Sequence, residues 1–489
     1  MNGDGSGTPR IIQGGMGVAI SGWPLARAVA RTGQLGVVSG TALEVVCARR
    51  LQEGDPGGDV RRALAHFPLP GAAERILRTY YIAGGKAPQA AYRPVLRFTL
   101  HPAKTLQELT VAANFVEVFL AKEGHDGPVG INYLRKIELS IPFACYGAML
   151  AGVDHVLVGA GNPADLPQLL DRLAGHEPVA LPVRVQGATS ADGDFAVHFD
   201  PRELAPGDRP LLHRPRLDAI VASVDLAAAL VANPATRPDG FVVEGYTAGG
   251  HNAPPRGPRR LDQRGQPVYD DRDTVDPRQM AGLGVPFWMA GSYGTPAGLA
   301  RAVSGGAAGI QVGTAFALCR ESGMADEHKH RLLGRAARGQ VSVRTDGRAS
   351  PTGFPFKVAD LDGTLSDERV YADRQRICDL GALRSAYRKA DATIGYRCPS
   401  EPVAVYERHG GRAANTAGRV CLCNALLATA GLAQQRPGGH AEPAIVTTGT
   451  DYTAVRDLIA RLPAGQHTYT AHDVITYLLG PPTGAARPA

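Results

Sequence analysis

The sequence predicts an α/β fold, a (β/α)8 barrel (TIM barrel) with insertions and a largely helical C-terminal extension. Two observations point there. Short apolar segments alternate with helical ones, the rhythm of parallel βαβ units. Eight strand candidates can be placed, beginning near Ile11, Gly36, Val129, His155, Leu217, Gly240, Pro286 and Gly309. A doubly wound open sheet is the alternative, but no GxGxxG follows the first strand.

Taken in order, Ile11-Ile12-Gln13 runs into the glycine turn Gly14-Gly15, and Trp23-Pro24-Leu25 opens a helix closed by Gly33. QLGVVSG, Gln34 to Gly40, is the second strand. The stretch 41–124 exceeds what a βα connection needs. It holds the helical patterns LEVVCARRLQ and TLQELTVAANFVEVFLAKEG and the extended piece YRPVLRFTLHP, and reads as an elaboration over the barrel's upper face. Regularity resumes at VGINYL and HVLVGA. A hairpin insertion near 180–215 follows, with VALPVRVQG and DFAVHFDP flanking the polar turn ATSADG. LDAIVAS, the helix VDLAAALVANP, and the strands GFVVEG, PFWMAGS and GIQVGT complete the count. The barrel is placed at 1–344 and the extension, packed on it, at 345–489, where TAGRVCLCNALLATAGLAQ and YTAVRDLIARL have helical patterns.

The 489 residues are 44% hydrophobic and 20% charged, enough apolar material for a large core. The formal net charge of +6 is mild, and no basic cluster interleaves with aromatics, which argues against nucleic acid and for a small anionic ligand. MNGDGSGTPR has no apolar signal core, no window approaches a membrane span, and seven irregularly spaced cysteines make no secreted disulfide framework. A cytoplasmic protein with no membrane partner is expected.

Chemistry concentrates at strand ends. FVVEGYTAGGHNAPPRG carries a buried strand into Glu244-Gly245, the pair Gly249-Gly250, and then His251. A histidine beyond the C-terminal end of a buried strand stands where such barrels place their chemistry, although many such imidazoles are structural. The last two strands end in Gly291-Ser292 and Gly313-Thr314. Small residues there let backbone N–H groups reach a phosphate; tight strand–helix packing is the alternative. FMN fits such a site, with its ring across the barrel mouth towards His251.

IIQGGMG, VGINYL, VVEGYTAGGH, PFWMAGSYG and GAAGIQVGTAF occur in that order. Together they resemble the nitronate monooxygenase (2-nitropropane dioxygenase) family of FMN enzymes, related to flavin-type enoyl-ACP reductases. The likeness covers roughly residues 11–324. It implies that Gly14, Gly15 and Met16 lie beside the isoalloxazine ring and that Asn132 hydrogen-bonds it. It further implies that Gly249 and Gly250 back the flavin, that Ser292, Gln311, Gly313 and Thr314 hold the phosphate, with Gly291 and Val312 also at the cofactor, and that His251 is the catalytic base. Glu244 stands in the flavin-contact position where many members have glutamine, and Ser292 where a second glycine is usual.

The activity implied is oxidation of nitronates or nitroalkanes by dioxygen to carbonyl compounds and nitrite. A histidine of near-neutral pKa suits removal of the α-proton. The alternative is an FMN- and NAD(P)H-dependent enoyl-thioester reductase, for which an acyl carrier protein is the partner. A non-catalytic barrel scaffold is a further alternative, and a homodimer is left open. Arg256, Arg259 and Arg260 after His251 either clamp an anion or are simply solvated. Cys378, Cys398, Cys421 and Cys423 are either metal ligands or, the reading preferred, buried free thiols; helical spacing would point Cys421 and Cys423 apart. Cys47, Cys145 and Cys319 read as core.

Overall fold

The computed structural model describes residues 8–204, 207, 209–258 and 260–480. Eight parallel strands close a barrel in sequence order. They are β1 (Ile11–Gln13), β2 (Leu35–Ser39), β3 (Val129–Leu134), β4 (His155–Gly159), β5 (Arg216–Val221), β6 (Gly240–Glu244), β7 (Phe287–Ala290) and β8 (Gly309–Val312). β8 closes on β1 in the register Ile11 to Ile310 through Gln13 to Val312. All eight expected strands form.

The reason is burial on both faces. Strands covered by helices outside and side chains inside must be apolar throughout, which made them visible as continuous runs. Ile12, Leu35, Val37, Leu157, Val242, Trp288 and Ala290 fill the interior. The one large polar group among them, the Trp288 indole N–H, donates to the Pro9 carbonyl at 2.8 Å. His155 and Asp218, also buried, pair at 2.7 Å. Two larger cores lie between the strands and the surrounding helices.

The ring helices sit close. A Cβ on Gly36 of β2 would lie 1.9 Å from the Ala26 carbonyl oxygen, so only glycine lets the helix Trp23–Ala30 pack there. Between β2 and β3, the helix Lys104–Lys122 is the crossover itself, packed on β2, β3 and Trp23–Ala30. Three shorter helices, Leu43–Gln52, Asp59–Ala65 and Pro70–Tyr80, are the added part of that segment. Tyr92 to Pro102 runs without strand pairing. After β4, Val179–Pro182 and Ala196–Phe199 pair antiparallel, the expected hairpin.

The C-terminal part contains the helices Val403–Arg408, Leu422–Thr429, Thr453–Ala460 and Ala471–Leu479. It also has strand pairs that no sequence pattern announced. Val343–Asp346 pairs with Phe356–Ala359, across residue 345, and Ser385–Arg388 pairs with Ile394–Arg397. The last helix, Ala471–Leu479, packs against Trp23–Ala30 and Pro296–Ser304 and so joins the ring around the barrel. The Tyr469 hydroxyl just before it donates to the Ala315 carbonyl at 2.8 Å. Among the described residues no helix is long and apolar enough to cross a membrane.

Candidate active site

The loop after β1 is held from below. The Gln13 amide donates to the Gly14 carbonyl (2.6 Å), the Ser21 hydroxyl (3.0 Å) and the Val37 carbonyl (3.2 Å), while Ser21 accepts from the Met16 N–H at 3.0 Å. The result is a fixed glycine-rich edge at the C-terminal mouth. Asn132, near the end of β3, donates to the Gly15 carbonyl at 3.3 Å, yet its Oδ1 is buried without a partner. A Cβ on Gly15 would lie 2.1 Å from that oxygen. Gln311 on β8 packs under Gly14 and has the same feature, a buried and unpartnered Oε1.

After β7, Gly291 (φ +85°) and Ser292 (φ +59°) turn in the left-handed region, which is uncommon for a serine. After β8, Gly313 leads into a helix of one turn, Thr314–Ala317. The Thr314 hydroxyl accepts from the Gly449 N–H at 2.9 Å, so the C-terminal part reaches this corner of the mouth.

That same part clasps the loop after β6. Gly250 (φ +76°) donates its N–H to Thr447 Oγ1 at 2.8 Å and accepts from the Lys357 N–H at 2.9 Å. A Cβ on Gly249 would come within 2.9 Å of the Thr448 carbonyl carbon. His251 forms an isolated bridge with Phe356, and its ring meets the Phe356 ring edge-on at 4.9 Å. Ser350 Oγ lies 2.7 Å from His251 Nε2. Burial, and secondly the nearby Lys136 charge, hold the imidazole down at about 3, so it is neutral at physiological pH.

His251 and every cofactor-site residue named from the sequence, from Gly14 to Thr314, line one cavity of about 440 Å³. This is a size typical of ligand pockets. Glu244, at the end of β6, faces Lys136 across it; burial raises the carboxyl to about 7, offset in part by Lys136. Arg256 and Arg260 are not among the lining residues. The Arg256 guanidinium donates to the Ala222 carbonyl, and Arg260 pairs with Asp270 at 3.0 Å. Arg259 lies outside the described residues.

Sequence reasoning missed Lys136 and the C-terminal wall. Phe354, Phe356, Leu422, Cys423, Thr447, Thr448 and Gly449 all line the cavity. The cysteines also differ from expectation in one respect. Cys421 precedes the helix Leu422–Thr429 rather than lying within it (φ −72°, ψ 83°), so the helical spacing that would point it away from Cys423 does not apply. Among the described residues no group of three or more His, Cys, Asp or Glu is arranged to hold a metal ion. Cys47, Cys145, Cys319 and Cys398 are buried, and Cys378, Cys421 and Cys423 are half-buried.

Fold and site together define a parallel (β/α)8 barrel with a cavity at its C-terminal mouth. Within it, residues 214–350 match the family model of nitronate monooxygenase, the family that the motifs resemble. A Mycobacterium tuberculosis (strain H37Rv) protein named (3aS,4S,5R,7aS)-5-hydroxy-7a-methyl-1-oxo-octahydro-1H-indene-4-carboxyl-CoA dehydrogenase is 29% identical over 220 residues, 41% of this chain and 58% of that protein. Its namesake from Rhodococcus jostii (strain RHA1) is 32% identical over 125 residues, 25% of this chain and 30% of that one. The match thus spans little over half of the first relative and under a third of the second. Among solved structures, a nitroalkane oxidase from Streptomyces ansochromogenes is similar over 96% of this chain and 94% of its own, at 15% identity and a TM-score of 0.44. FabK from Thermotoga maritima is similar over 75% of this chain and 76% of its own, at 18% identity and a TM-score of 0.39.

Proposed function

We propose that the protein is a flavin-dependent oxidoreductase with FMN as its cofactor, oxidising nitronates or nitroalkanes with dioxygen to carbonyl compounds and nitrite. The observation that carries this reading is the convergence of His251 and the glycine-rich strand ends on one cavity. The residues fit a flavin. Asn132 Oδ1 is a buried acceptor without a partner, as expected beside a ring bearing an N–H group; Gln311 Oε1, which the resemblance implies at the phosphate, is also an unpartnered acceptor and suits the ring better than a phosphate. Gly14, Gly15 and Met16 offer a flat edge that a Cβ on Gly15 would spoil. Gly291, Ser292, Gly313 and Thr314 offer backbone and hydroxyl groups to a phosphate.

When bound, FMN supplies the electron acceptor and the means of passing electrons to dioxygen. The chain's own residues do the rest. His251 is neutral and free to take an α-proton, but its surroundings oppose an isolated imidazolium. It becomes an effective base only as negative charge develops on the substrate beside it, so the proton transfer and the anion are coupled. Ser350, 2.7 Å from Nε2, fixes the ring's orientation. Phe354, Phe356 and Leu422 add apolar surface to the cavity wall, which would favour displacement of water by a bound substrate.

A second reading has one observation in its favour. A smaller cavity of about 160 Å³ shares Ala42, Ile137 and Ala382 with the first and is lined by Arg49, Arg93 and Arg97. Such a cleft suits the phosphates of a thioester carrier, in keeping with the CoA-thioester names of the relatives and with an enoyl-thioester reductase.

The test is direct. The purified protein should be yellow, release FMN on denaturation, and form nitrite from ethyl nitronate. A protein that takes up no flavin overturns the cofactor reading. Flavin reduced rapidly by NAD(P)H and reoxidised by an enoyl thioester, with no nitrite from nitronates, selects the second reading.

A further inference from the structure

The cavity contains a cation that neither the fold nor the proposed cofactor accounts for. Lys136 lies in the turn after β3, pinned by the Arg135 N–H on the Gly159 carbonyl and the Ile137 N–H on the Leu134 carbonyl, both 2.8 Å. Of its two neighbours, Arg135 faces elsewhere, while Ile137 lines the cavity as well. The Arg135 guanidinium donates to Glu138 (2.8 Å), Asp165 (3.2 Å) and the Pro182 carbonyl (3.0 Å). Ile137 packs into the apolar cluster of Ala349, Phe356 and Leu422. Lys136 is left facing the cavity, with Nζ 4.0 Å from the centre of the Phe354 ring.

That Nζ is buried and has no hydrogen-bond partner. A buried ammonium is costly unless paired, and one aromatic face offsets only part of the cost. Glu244 attracts it across the cavity without forming an ion pair. Burial drives the lysine down to about 7 and the glutamic acid up to about 7, so the two are poised between charged and neutral forms. An anion entering the cavity would complete the coordination that Lys136 lacks. His251 lines the same cavity and feels the Lys136 charge.

We propose that Lys136 is the anion-binding residue of the substrate pocket: its ammonium receives the oxygen end of a small delocalised oxyanion whose carbon end lies against His251. Glu244 competes for the same ammonium and so sets how tightly the anion is held. The identity of the anion as a nitronate rests on the function proposed above; the anion site itself does not.

The test uses the flavin-loaded protein, with sodium nitrite as a non-reacting probe in calorimetric titration and ethyl nitronate in turnover. Lys136→Met should weaken nitrite binding and raise the KM for ethyl nitronate, each by about tenfold or more, as for loss of a charge-assisted hydrogen bond. Lys136→Arg should keep most of the affinity. Glu244→Gln should tighten nitrite binding by about threefold or more, because it removes a competing charge, and the gain should be smaller when Lys136→Met is also present; an equal gain in both backgrounds would mean that Glu244 acts on the anion without Lys136. Flavin content should be unchanged in Lys136→Met. Undiminished nitrite affinity in Lys136→Met overturns the proposal, as does a wild type that binds no nitrite. Loss of flavin in that variant assigns Lys136 to the cofactor instead and also overturns it. A wild type that binds nitrite through Lys136 but oxidises no nitronate leaves the anion site standing and removes only the nitronate reading.

Discussion

At the scale of single residues, His251 is the group whose surroundings change what its chemistry predicts. A free imidazole would titrate near 6.5, but burial and Lys136 keep this one neutral down to about 3. The pH dependence of kcat/KM should therefore carry no limb from His251 between about 4 and 7. The cavity groups shifted into the working range are Lys136 and Glu244, both to about 7; Asp451 and Cys423 line the same cavity from the C-terminal part. Lys136 binds an anion only when protonated, and Glu244 repels one only when ionised, so activity on preformed nitronates should fall as pH rises through about 7. A rate–pH profile checks this. The fall should persist in His251→Asn and become shallower in Lys136→Met, where the ionisation of Glu244 alone remains. His251→Asn should also lose about 10²–10⁴-fold in activity on neutral nitroalkanes while keeping much of it on nitronates prepared in advance, which need no base. Equal losses on both forms would mean that His251 orients or binds rather than removes a proton.

At the scale of elements, the site is a set of loops that differ in how tightly they are built. The loop after β1 has no slack, because Gln13 and Ser21 hold it and Asn132 fills the space above Gly15. Gly15→Ala would set a methyl group 2.1 Å from Asn132 Oδ1, and overpacking of that kind costs about 1–3 kcal/mol. It should lower the flavin-to-protein ratio read by absorbance, with little change in the far-ultraviolet circular dichroism; full flavin content would show that this edge does not face the ring. These elements were legible in the sequence for physical reasons. A strand buried on both faces must be a continuous apolar run, and a loop packed closely against another is written in glycine, as at Gly249 against Thr448 and Gly291 against Thr247. The C-terminal wall was not legible. Ser350 stands 99 residues after His251 and Thr447 stands 197 after Gly250, and no local periodicity encodes such contacts. Lys136 was hidden differently. A lysine in Arg-Lys-Ile reads as solvated, and only the tertiary partners of Arg135, Glu138 and Asp165, show that the two cations part, with Lys136 lining the cavity.

At the scale of the whole molecule, the barrel and the chain beyond residue 345 share structure rather than merely touching. The pairing of Val343–Asp346 with Phe356–Ala359 crosses that point, and His251 is bridged to Phe356. The helix Thr453–Ala460 packs on Asp326–Ala337, and Ala471–Leu479 lies in the ring against Trp23–Ala30. One apolar core runs from Ile11, Leu25 and Val29 of the barrel to Val474, Ile475 and Leu478 of the last helix. Shared cores of this kind unfold together. Circular dichroism and the fluorescence of released flavin should therefore report one coincident thermal transition. Leu478→Ala sharpens the test, because Leu478 is only 3% exposed and lies far along the chain from the strand ends that form the cavity. Truncating a buried leucine costs about 2–5 kcal/mol. At about 2 °C or less per kcal/mol for a chain of this size, both signals should move down together by several degrees. If flavin release stays at its wild-type temperature while circular dichroism shows a separate early step, the C-terminal part is an independent unit. The wall it builds around His251 would then be a detachable cover rather than part of the barrel's own core.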